Sequence, residues 1–156
     1  MRLTRAGEYA VRAVLYLAKQ KKGTLVSSRE IATRTDVPAH FLAKIAQQLA
    51  KAGIIEIQQG SGGGFRLRQA PADLPLLTVI EAIIGEISLN DCVTRPDSCT
   101  RSALCAVHRV WNRANEQLRA TLRETTFAEL AAEENCCLAD PLLPVAGNRR
   151  PRKNKE

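Results

Sequence analysis

A glycine-rich stretch, residues 60–64, separates two short segments in which apolar residues alternate with polar ones, 54–59 and 65–68. Alternation on both sides of such a turn predicts a β-hairpin. The competing interpretation of these glycines is a phosphate-binding nucleotide loop. Such a loop opens a helix, whereas 65–68 has the pattern of a strand, so the sequence favours the hairpin.

Three helical patterns precede this hairpin. The first follows Thr4 and runs to about Gln20, and its stripe of small and apolar residues consists of Ala6, Ala10, Ala13, Val14 and Leu17. The second opens with a capping box at 27–30, carries Ile31 and Ala32 inward and stops near Thr35. The third follows the turn 37–38, and Gly53 closes it; its predicted buried residues are Phe41, Leu42, Ile45 and Leu49. Three helices followed by a hairpin is the order of a winged helix-turn-helix, whose third helix enters the major groove while its hairpin lies along the backbone or minor groove.

The charge of the chain is unevenly distributed and supports a nucleic-acid partner. Residues 1–70 hold 12 Lys and Arg against 4 Asp and Glu, residues 71–140 hold 6 against 11, and residues 141–156 hold 5 against 1. A basic module attracts a polyanion, although such charges can also merely solvate a surface. The predicted contacts to double-stranded DNA are polar, basic or wing residues: Ser28, His40, Lys44, Gln47, Gln48, Lys51, Gln59, Ser61, Gly62 and Arg66.

The second half of the chain predicts further helices. Pro71 and Pro75 bracket a linker, and a capping-box pattern at 78–81 predicts a helix that buries Ile80, Ile83, Ile84 and Ile87. After a loop at about 89–101, a long helical pattern runs to about Arg123, with one stripe formed by Leu104, Val107, Trp111, Ala114, Leu118 and Leu122. So small a chain has little to cover that stripe, so we expect a homodimer that pairs this dimerisation helix with its copy. The alternative is that the stripe packs only within its own subunit.

The expected organisation is mainly α with a small β-hairpin wing, and it has three parts. Residues 1–70 form the winged helix-turn-helix domain and residues 71–135 hold the cysteine loop and the dimerisation helices. A short last helix starts with the capping box at 126–129 and ends near Cys136. The last part, 136–156, is a short C-terminal end with a basic tail that is expected to be disordered and to attract DNA non-specifically. Apolar runs reach only four to six residues, far below the roughly 18 of a membrane span, and no signal peptide is recognisable, so we expect a cytoplasmic protein without a membrane partner.

The cysteines provide the candidate chemistry. Five cysteines, an odd number in a reducing compartment, argue against a disulfide framework. Cys92, Cys99 and Cys105 precede or enter the long helix, and His108 follows Cys105 by one helical turn. Three thiolates and an imidazole suit a metal; the spacings of five and six fit an iron–sulfur cluster better than the tighter pairs usual for zinc. Zinc, and unliganded cysteines that are redox-active or simply buried, remain open alternatives.

At this point the chain resembles the Rrf2 family of bacterial winged-helix regulators, in particular its IscR-like and NsrR-like iron–sulfur branches. The resemblance covers about residues 1–135 and rests on the opening 1–4 with 9–11, the stretch 49–54, the wing 60–65 and the three-cysteine loop. It implies a dimer that reads a two-fold-related operator and holds one cluster per subunit. Members mostly repress transcription and report iron–sulfur status, iron, oxidative or nitrosative stress through the cluster.

The resemblance also implies the ligands. The family cysteines fall on Cys92, Cys99 and Cys105, and the fourth ligand of the IscR-like branch falls on His108. In the NsrR-like branch a carboxylate of the partner subunit has this role, and Glu8 stands at the matching place. We favour His108 and a [2Fe–2S] cluster, with [4Fe–4S] as the alternative because the first loop is six residues instead of five.

Three further features of the sequence limit what it predicts. Ala43 and Lys44 depart from the IscR-like recognition helix, so the operator sequence cannot be carried over. Cys136 and Cys137 match nothing in the family and, as neighbours in a helix, point in different directions, so no second shared site is expected. An enzyme is not expected, because the sequence has no Cys-x-x-Cys pair, nucleophile elbow or phosphate loop.

Overall fold

The computed structural model describes residues 4–133. In chain order its elements are α1 (Arg5–Ala18), α2 (Ser28–Thr35), α3 (Ala39–Lys51), β1 (Ile55–Gln58), β2 (Gly64–Leu67), α4 (Leu76–Ile84), α5 (Asp91–Thr94), α6 (Ala106–Glu124) and α7 (Phe127–Ala132). Short 3₁₀ turns lie at Pro71–Asp73, Pro96–Ser98 and Ser102–Leu104. The predicted fold class, mainly α with a small hairpin, is confirmed.

Side-chain caps start the first two helices where the sequence predicts them. The Thr4 hydroxyl accepts the Gly7 N–H at 3.2 Å, and the Ser27 hydroxyl accepts the Glu30 N–H at 3.2 Å. Asp36 ends α2 with a left-handed backbone (φ 53°), which turns the chain toward α3. Each cap satisfies a backbone group that the helix itself leaves without a partner.

The hairpin is joined to the helices by one additional pair of backbone hydrogen bonds. In the antiparallel register Glu56 faces Arg66 and Ile57 faces Phe65. Val26, just before α2, exchanges both of its backbone hydrogen bonds with Phe65, at 3.0 and 2.8 Å. A side chain at Gly64 would collide with the Val26 carbonyl, so this glycine allows the close approach of the two backbones. The glycine-rich stretch is therefore part of a hairpin, as predicted.

The main core surrounds α1 and combines both halves of the chain. Val14, Ile31 and Leu49 from the first half are buried together with Leu74 and Phe127 from the second. Backbone hydrogen bonds from Leu76 to the Thr125 carbonyl (2.9 Å) and from Phe127 to the Leu74 carbonyl (3.0 Å) hold the start of α4 beside α7. A smaller cluster of α4 residues and Ile87 packs against Leu118 and Leu122 of α6. The segment predicted as a linker thus contributes Leu74 to the core.

Three local predictions are wrong. The fourth helix starts at Leu76 with Pro75 as its N-cap, not at Thr78, because the Thr125 carbonyl satisfies the Leu76 N–H. Gly85, at φ 81°, ends this helix, and Ile87 beyond it is buried as predicted, but Ile83 and Ile84, also predicted to be buried, are only half-buried. Phe41 was expected in the core but is 40% exposed, since it lies at the edge of the buried stripe of α3.

At the other end of the described chain, α7 has the predicted complete capping box, formed by Thr126 and Glu129. It ends at Ala132, earlier than the predicted end near Cys136. Cys136, Cys137 and the basic tail lie outside the described residues. Among residues 4–133, no helix is long and apolar enough to cross a membrane.

Candidate functional site

The outer face of α3 carries the polar and basic residues that the sequence assigns to DNA. His40, Lys44, Gln47 and Lys51 are exposed, while Gln48 is half-buried. On the opposite face Leu42, Ile45 and Leu49 are almost fully buried, so packing fixes which way the helix faces. This places a positively charged helical surface on the outside of the domain, in a form that fits a major groove.

A cleft of about 580 Å³ lies between α2, α3 and the hairpin. Its lining includes Ser28 and Arg29 from α2, Ala43 from α3 and Gly60 from the turn of the hairpin. The predicted wing residues Gln59, Ser61 and Gly62 are exposed at the same turn. Backbone and hydroxyl groups in these places are of the kinds that contact phosphate and sugar.

Arg66 is not a free cation. It lies in β2 opposite Glu56, and its guanidinium donates hydrogen bonds to both carboxylate oxygens, at distances from 2.9 to 3.1 Å. The hydrogen bond from Arg66 holds the pKa of Glu56 below its ordinary value, and Glu56 raises the pKa of Arg66. The wing thus presents Arg66 with its charge already balanced within the chain.

An aromatic cluster beside α3 was missed by the sequence reasoning. The exposed Phe41 ring lies 4.4 Å from the His40 ring and 5.7 Å from the Tyr9 ring, measured between centroids. The Arg12 guanidinium lies 5.9 Å from the Tyr9 centroid. The helical period places Phe41 at the margin of the apolar stripe, which is why periodicity alone assigned it to the core.

The cysteine loop combines 3₁₀ turns and one short helix before it enters α6. Cys92 lies in α5 and is half-buried, Cys99 is exposed, and half-buried Cys105 is the N-cap of α6. The Cys105 sulfur accepts the backbone N–H of His108 at 3.4 Å. Cys105 therefore ties the end of the loop to the first turn of α6.

Cys99 and His108 line a common cavity of about 450 Å³ together with Ser102 and Arg109. Among the described residues, the buried side-chain atoms without a hydrogen-bond partner are Ser102 Oγ and His108 Nδ1. The other ring nitrogen of His108, Nε2, lies 3.0 Å from the amide nitrogen of Asn112. Buried polar atoms normally have hydrogen-bond partners, so these two atoms mark the residues around this cavity as a candidate binding site.

The four predicted ligands are not assembled into one compact group. Within residues 4–133, no three His, Cys, Asp or Glu side chains are grouped closely enough to hold a metal ion. Cys99 shares the cavity with His108, and Cys105 shares the first turn of α6 with it; Cys92 is not among the residues that line the cavity. Glu8, the alternative ligand, is exposed in the first turn of α1.

The predicted apolar stripe of α6 divides into two parts. Leu118 and Leu122, toward the end of the helix, pack against α4. At its start, Val107 is 53% and Trp111 is 39% exposed, and Leu104, just before the helix, is 91% exposed. Val110, which the prediction did not include, is 50% exposed. We call Leu104, Val107, Val110 and Trp111 the exposed α6 patch.

Comparisons with known proteins agree with this architecture. Residues 3–133 match the family model described as Rrf2, iron-dependent transcriptional regulator. The regulator IscR of Vibrio atlanticus is 31% identical over 130 residues, which cover 83% of this chain and 75% of that protein. The regulator NsrR of Halalkalibacterium halodurans is 29% identical over 136 residues, covering 86% of this chain and 93% of that protein.

Among solved structures, CymR, the global cysteine regulator of B. subtilis, matches with a TM-score of 0.73 at 23% identity, over 84% of this chain and 96% of CymR. This match supports the fold. The family model spans most of the chain and includes the helices, the hairpin and the cysteine loop. The chain therefore belongs to the Rrf2 family of DNA-binding transcriptional regulators, which are not enzymes.

Proposed function

We propose that this chain is a homodimeric transcriptional regulator, mainly a repressor, whose operator binding is controlled by an iron–sulfur cluster. The observation that carries the proposal is that Ser102 and His108, whose Oγ and Nδ1 atoms are buried without a hydrogen-bond partner, line one cavity together with Cys99. Thiol sulfur and imidazole nitrogen are suitable donors for iron. The donor set therefore fits the group that the family resemblance implies.

Four residues would hold the cluster: Cys92, Cys99, Cys105 and His108. The Asn112 amide nitrogen donates to His108 Nε2 in the structure, which places the ring proton on Nδ1. For Nδ1 to bind a metal, the Asn112 amide would turn over so that its oxygen accepts Nε2–H and orients the ring. Cys105 fixes one end of the loop to α6. A bound cluster, [2Fe–2S] by preference and [4Fe–4S] as the alternative, supplies iron that changes redox state and reacts with oxygen or nitric oxide. Glu8 of the partner subunit is the alternative fourth ligand.

For DNA, we propose that α3 enters the major groove with His40, Lys44, Gln47 and Lys51 toward the bases and phosphates. Gln48 lies at the margin of this face, and Ser28, Gln59, Ser61, Gly62 and Arg66 would contact the backbone from α2 and the wing. For Arg66 this requires a phosphate to compete with Glu56 for its guanidinium. The basic surface accounts for attraction to DNA, and the α3 side chains account for the choice of sequence.

The exposed α6 patch supports the homodimer. Four large apolar side chains in and just before the start of one helix are an unusual surface for a small monomer, and pairing with the same patch of a second copy would cover them. To read half-sites one turn of B-DNA apart, such a dimer would hold its two recognition helices about 34 Å apart. Residues 1–70 would then act as the DNA-binding part and 71–135 as the sensing and pairing part, in the cytoplasm.

A second candidate is a winged-helix regulator that is controlled by thiol oxidation or stabilised by zinc. The exposed, unbonded Cys99 favours it, because an accessible thiol reacts without any metal. It shares the DNA-binding part of the proposal and differs only in what occupies the loop.

Purification of the full-length protein without oxygen tests these candidates. We expect visible absorption together with iron and acid-labile sulfide, and we expect Cys99→Ala to lose all three. Cys136→Ala is the matched control and should retain them. Colourless protein that contains zinc, or that has neither metal nor sulfide, would overturn the cluster and favour the second candidate.

A further inference from the structure

The chain just before Cys92 is held against α6 by two side chains one helical turn apart. The Asn115 side-chain oxygen accepts the Leu89 N–H at 3.1 Å. The Arg119 guanidinium donates to the Ile87 carbonyl at 3.2 Å. The segment 87–89 is therefore fixed to the same helix whose first turn carries Cys105 and His108.

Asn115 is a buried polar residue on the apolar stripe of α6. It is 5% exposed and lies on the side of α6 that also carries Trp111 and Leu118. Burying an amide costs free energy unless it makes hydrogen bonds. The bond to Leu89 partly compensates that cost and gives a reason for the asparagine at this position. An asparagine within an otherwise apolar stripe is the sequence signal that could have identified it.

Glu81 completes the attachment from α4. Its carboxylate forms an ion pair with Arg119 and also accepts the Ile87 N–H at 2.9 Å. Both charged side chains are largely covered, 24% exposed for Glu81 and 21% for Arg119. The N–H and the carbonyl of Ile87 are thus bound by side chains from two different helices, α4 and α6. These bonds fix the position of the start of the loop.

We propose that Asn115 and Arg119 are positioning residues for Cys92. They hold the chain that leads into Cys92 on α6, so that this cysteine keeps a defined place relative to Cys105 and His108, which α6 itself carries. The inference rests on the proposed function, in which these residues share one site. Neither residue is a ligand; each acts through the backbone of 87–89.

The first test uses reduced, metal-free, full-length protein and iodoacetamide as the probe. In Asn115→Ala the alkylation of Cys92 should accelerate by roughly tenfold, the scale of losing one buried hydrogen bond. Alkylation of exposed Cys99 should not change, and it serves as the internal control. Gln117→Ala, an exposed change on the same helix, should leave both rates at the wild-type value. Equal Cys92 rates in folded Asn115→Ala and in wild type would overturn the proposal.

A second, milder variant tests the same proposal if Asn115→Ala does not fold. Arg119→Lys keeps a positive charge beside Glu81 but loses the forked donor that reaches the Ile87 carbonyl. It should raise the Cys92 rate in the same direction by a smaller factor, and an unchanged rate in this variant would also contradict the proposal.

A third measurement separates this inference from the cluster itself. If wild type carries iron and sulfide, a chelator should remove iron several-fold faster from Asn115→Ala than from Gln117→Ala. Wild type without iron and sulfide would refute the cluster and leave the alkylation result standing. Wild type with a cluster, combined with unchanged Cys92 alkylation in Asn115→Ala, would refute only the positioning role.

Discussion

The first and last parts of the described chain differ in how completely a single copy buries its apolar side chains and pairs its polar atoms. From Thr4 to Leu67, apolar side chains are mostly buried, the first two helices begin with side-chain caps, and the hairpin is bonded to Val26. Around Cys99 and α6, buried polar atoms have no partner and four large apolar residues are exposed. The DNA-binding part thus has a complete fold in one chain, whereas we propose that the second part is completed by a second copy and a cluster.

The largest expected effect tests the shared core that joins these two parts. Phe127 in α7 is fully buried beside α1, so Phe127→Ala should lower the free energy of unfolding by about 3–5 kcal/mol through lost burial and a cavity. Urea denaturation measures this. Phe41→Ala is the matched control, because that ring is 40% exposed, and its cost should be roughly half or less. Equal costs for the two variants would contradict the assigned core.

The exposed α6 patch provides the next test. Val107→Asp places a charge where we propose that two copies meet, so the dimer should weaken by about 2–4 kcal/mol while each chain remains folded. Sedimentation across a range of protein concentrations measures the association, and circular dichroism checks the fold. Glu116→Ala, an exposed change on α6 away from the patch, should leave the association unchanged. A Val107→Asp protein that is as dimeric as wild type would remove the patch from the interface.

A smaller effect is expected on the outer face of α3. Lys44→Ala should weaken binding to a selected operator duplex by about 1–3 kcal/mol if the amine contacts a base, or lower the salt slope by about one if it contacts a phosphate. Fluorescence anisotropy at several salt concentrations distinguishes the two. Arg123→Ala, an equal loss of charge near the end of α6, should change neither quantity. If Lys44→Ala leaves both the affinity and the salt slope unchanged, as expected for Arg123→Ala, Lys44 does not contact DNA.

The smallest effect concerns the ion pair in the hairpin. Arg66 lowers the pKa of Glu56, so the pair stabilises the hairpin at pH values above the ordinary pKa of glutamate, and this contribution disappears as the pH falls through the lowered pKa. Both side chains are well exposed, so the contribution is small. Glu56→Gln should abolish this pH dependence in an NMR titration of the hairpin and, by freeing Arg66, steepen the salt dependence of DNA binding. Identical titrations of the two proteins would contradict the pairing.

The sequence predicts local structure best where one residue decides it. The caps at Thr4, Ser27 and Thr126 and the glycine-rich turn each depend on neighbours along the chain, and each is present. The capping box predicted at 27–30 is only half formed, because the Glu30 carboxylate accepts the Tyr16 hydroxyl at 2.7 Å. The start of α4 depends instead on a distant partner, the Thr125 carbonyl, which no local pattern reveals. The prediction that Phe41 is buried is wrong, because helical periodicity does not distinguish the margin of an apolar stripe from its centre.

The candidate site was predicted by residue type more than by arrangement. The loop between Ile87 and Cys105 has no regular period, so nothing in its sequence specifies how Cys92 and Cys99 lie relative to His108. The roles of Asn115 and Arg119 depend on contacts with backbone groups far away in sequence. Such contacts form only when α6 packs against the chain that follows α4. The spacing could therefore single out Asn115 as a polar residue in an apolar stripe, but it could not identify the backbone group that Asn115 binds.

The most direct test of the central claim is the dissociation constant for one selected operator duplex, measured with full-length protein before and after removal of its cluster. We predict a change of about tenfold or more, and we predict that Cys99→Ala binds in both conditions like the stripped wild type. Equal dissociation constants for loaded and stripped wild-type protein would contradict control of DNA binding through the cysteine loop.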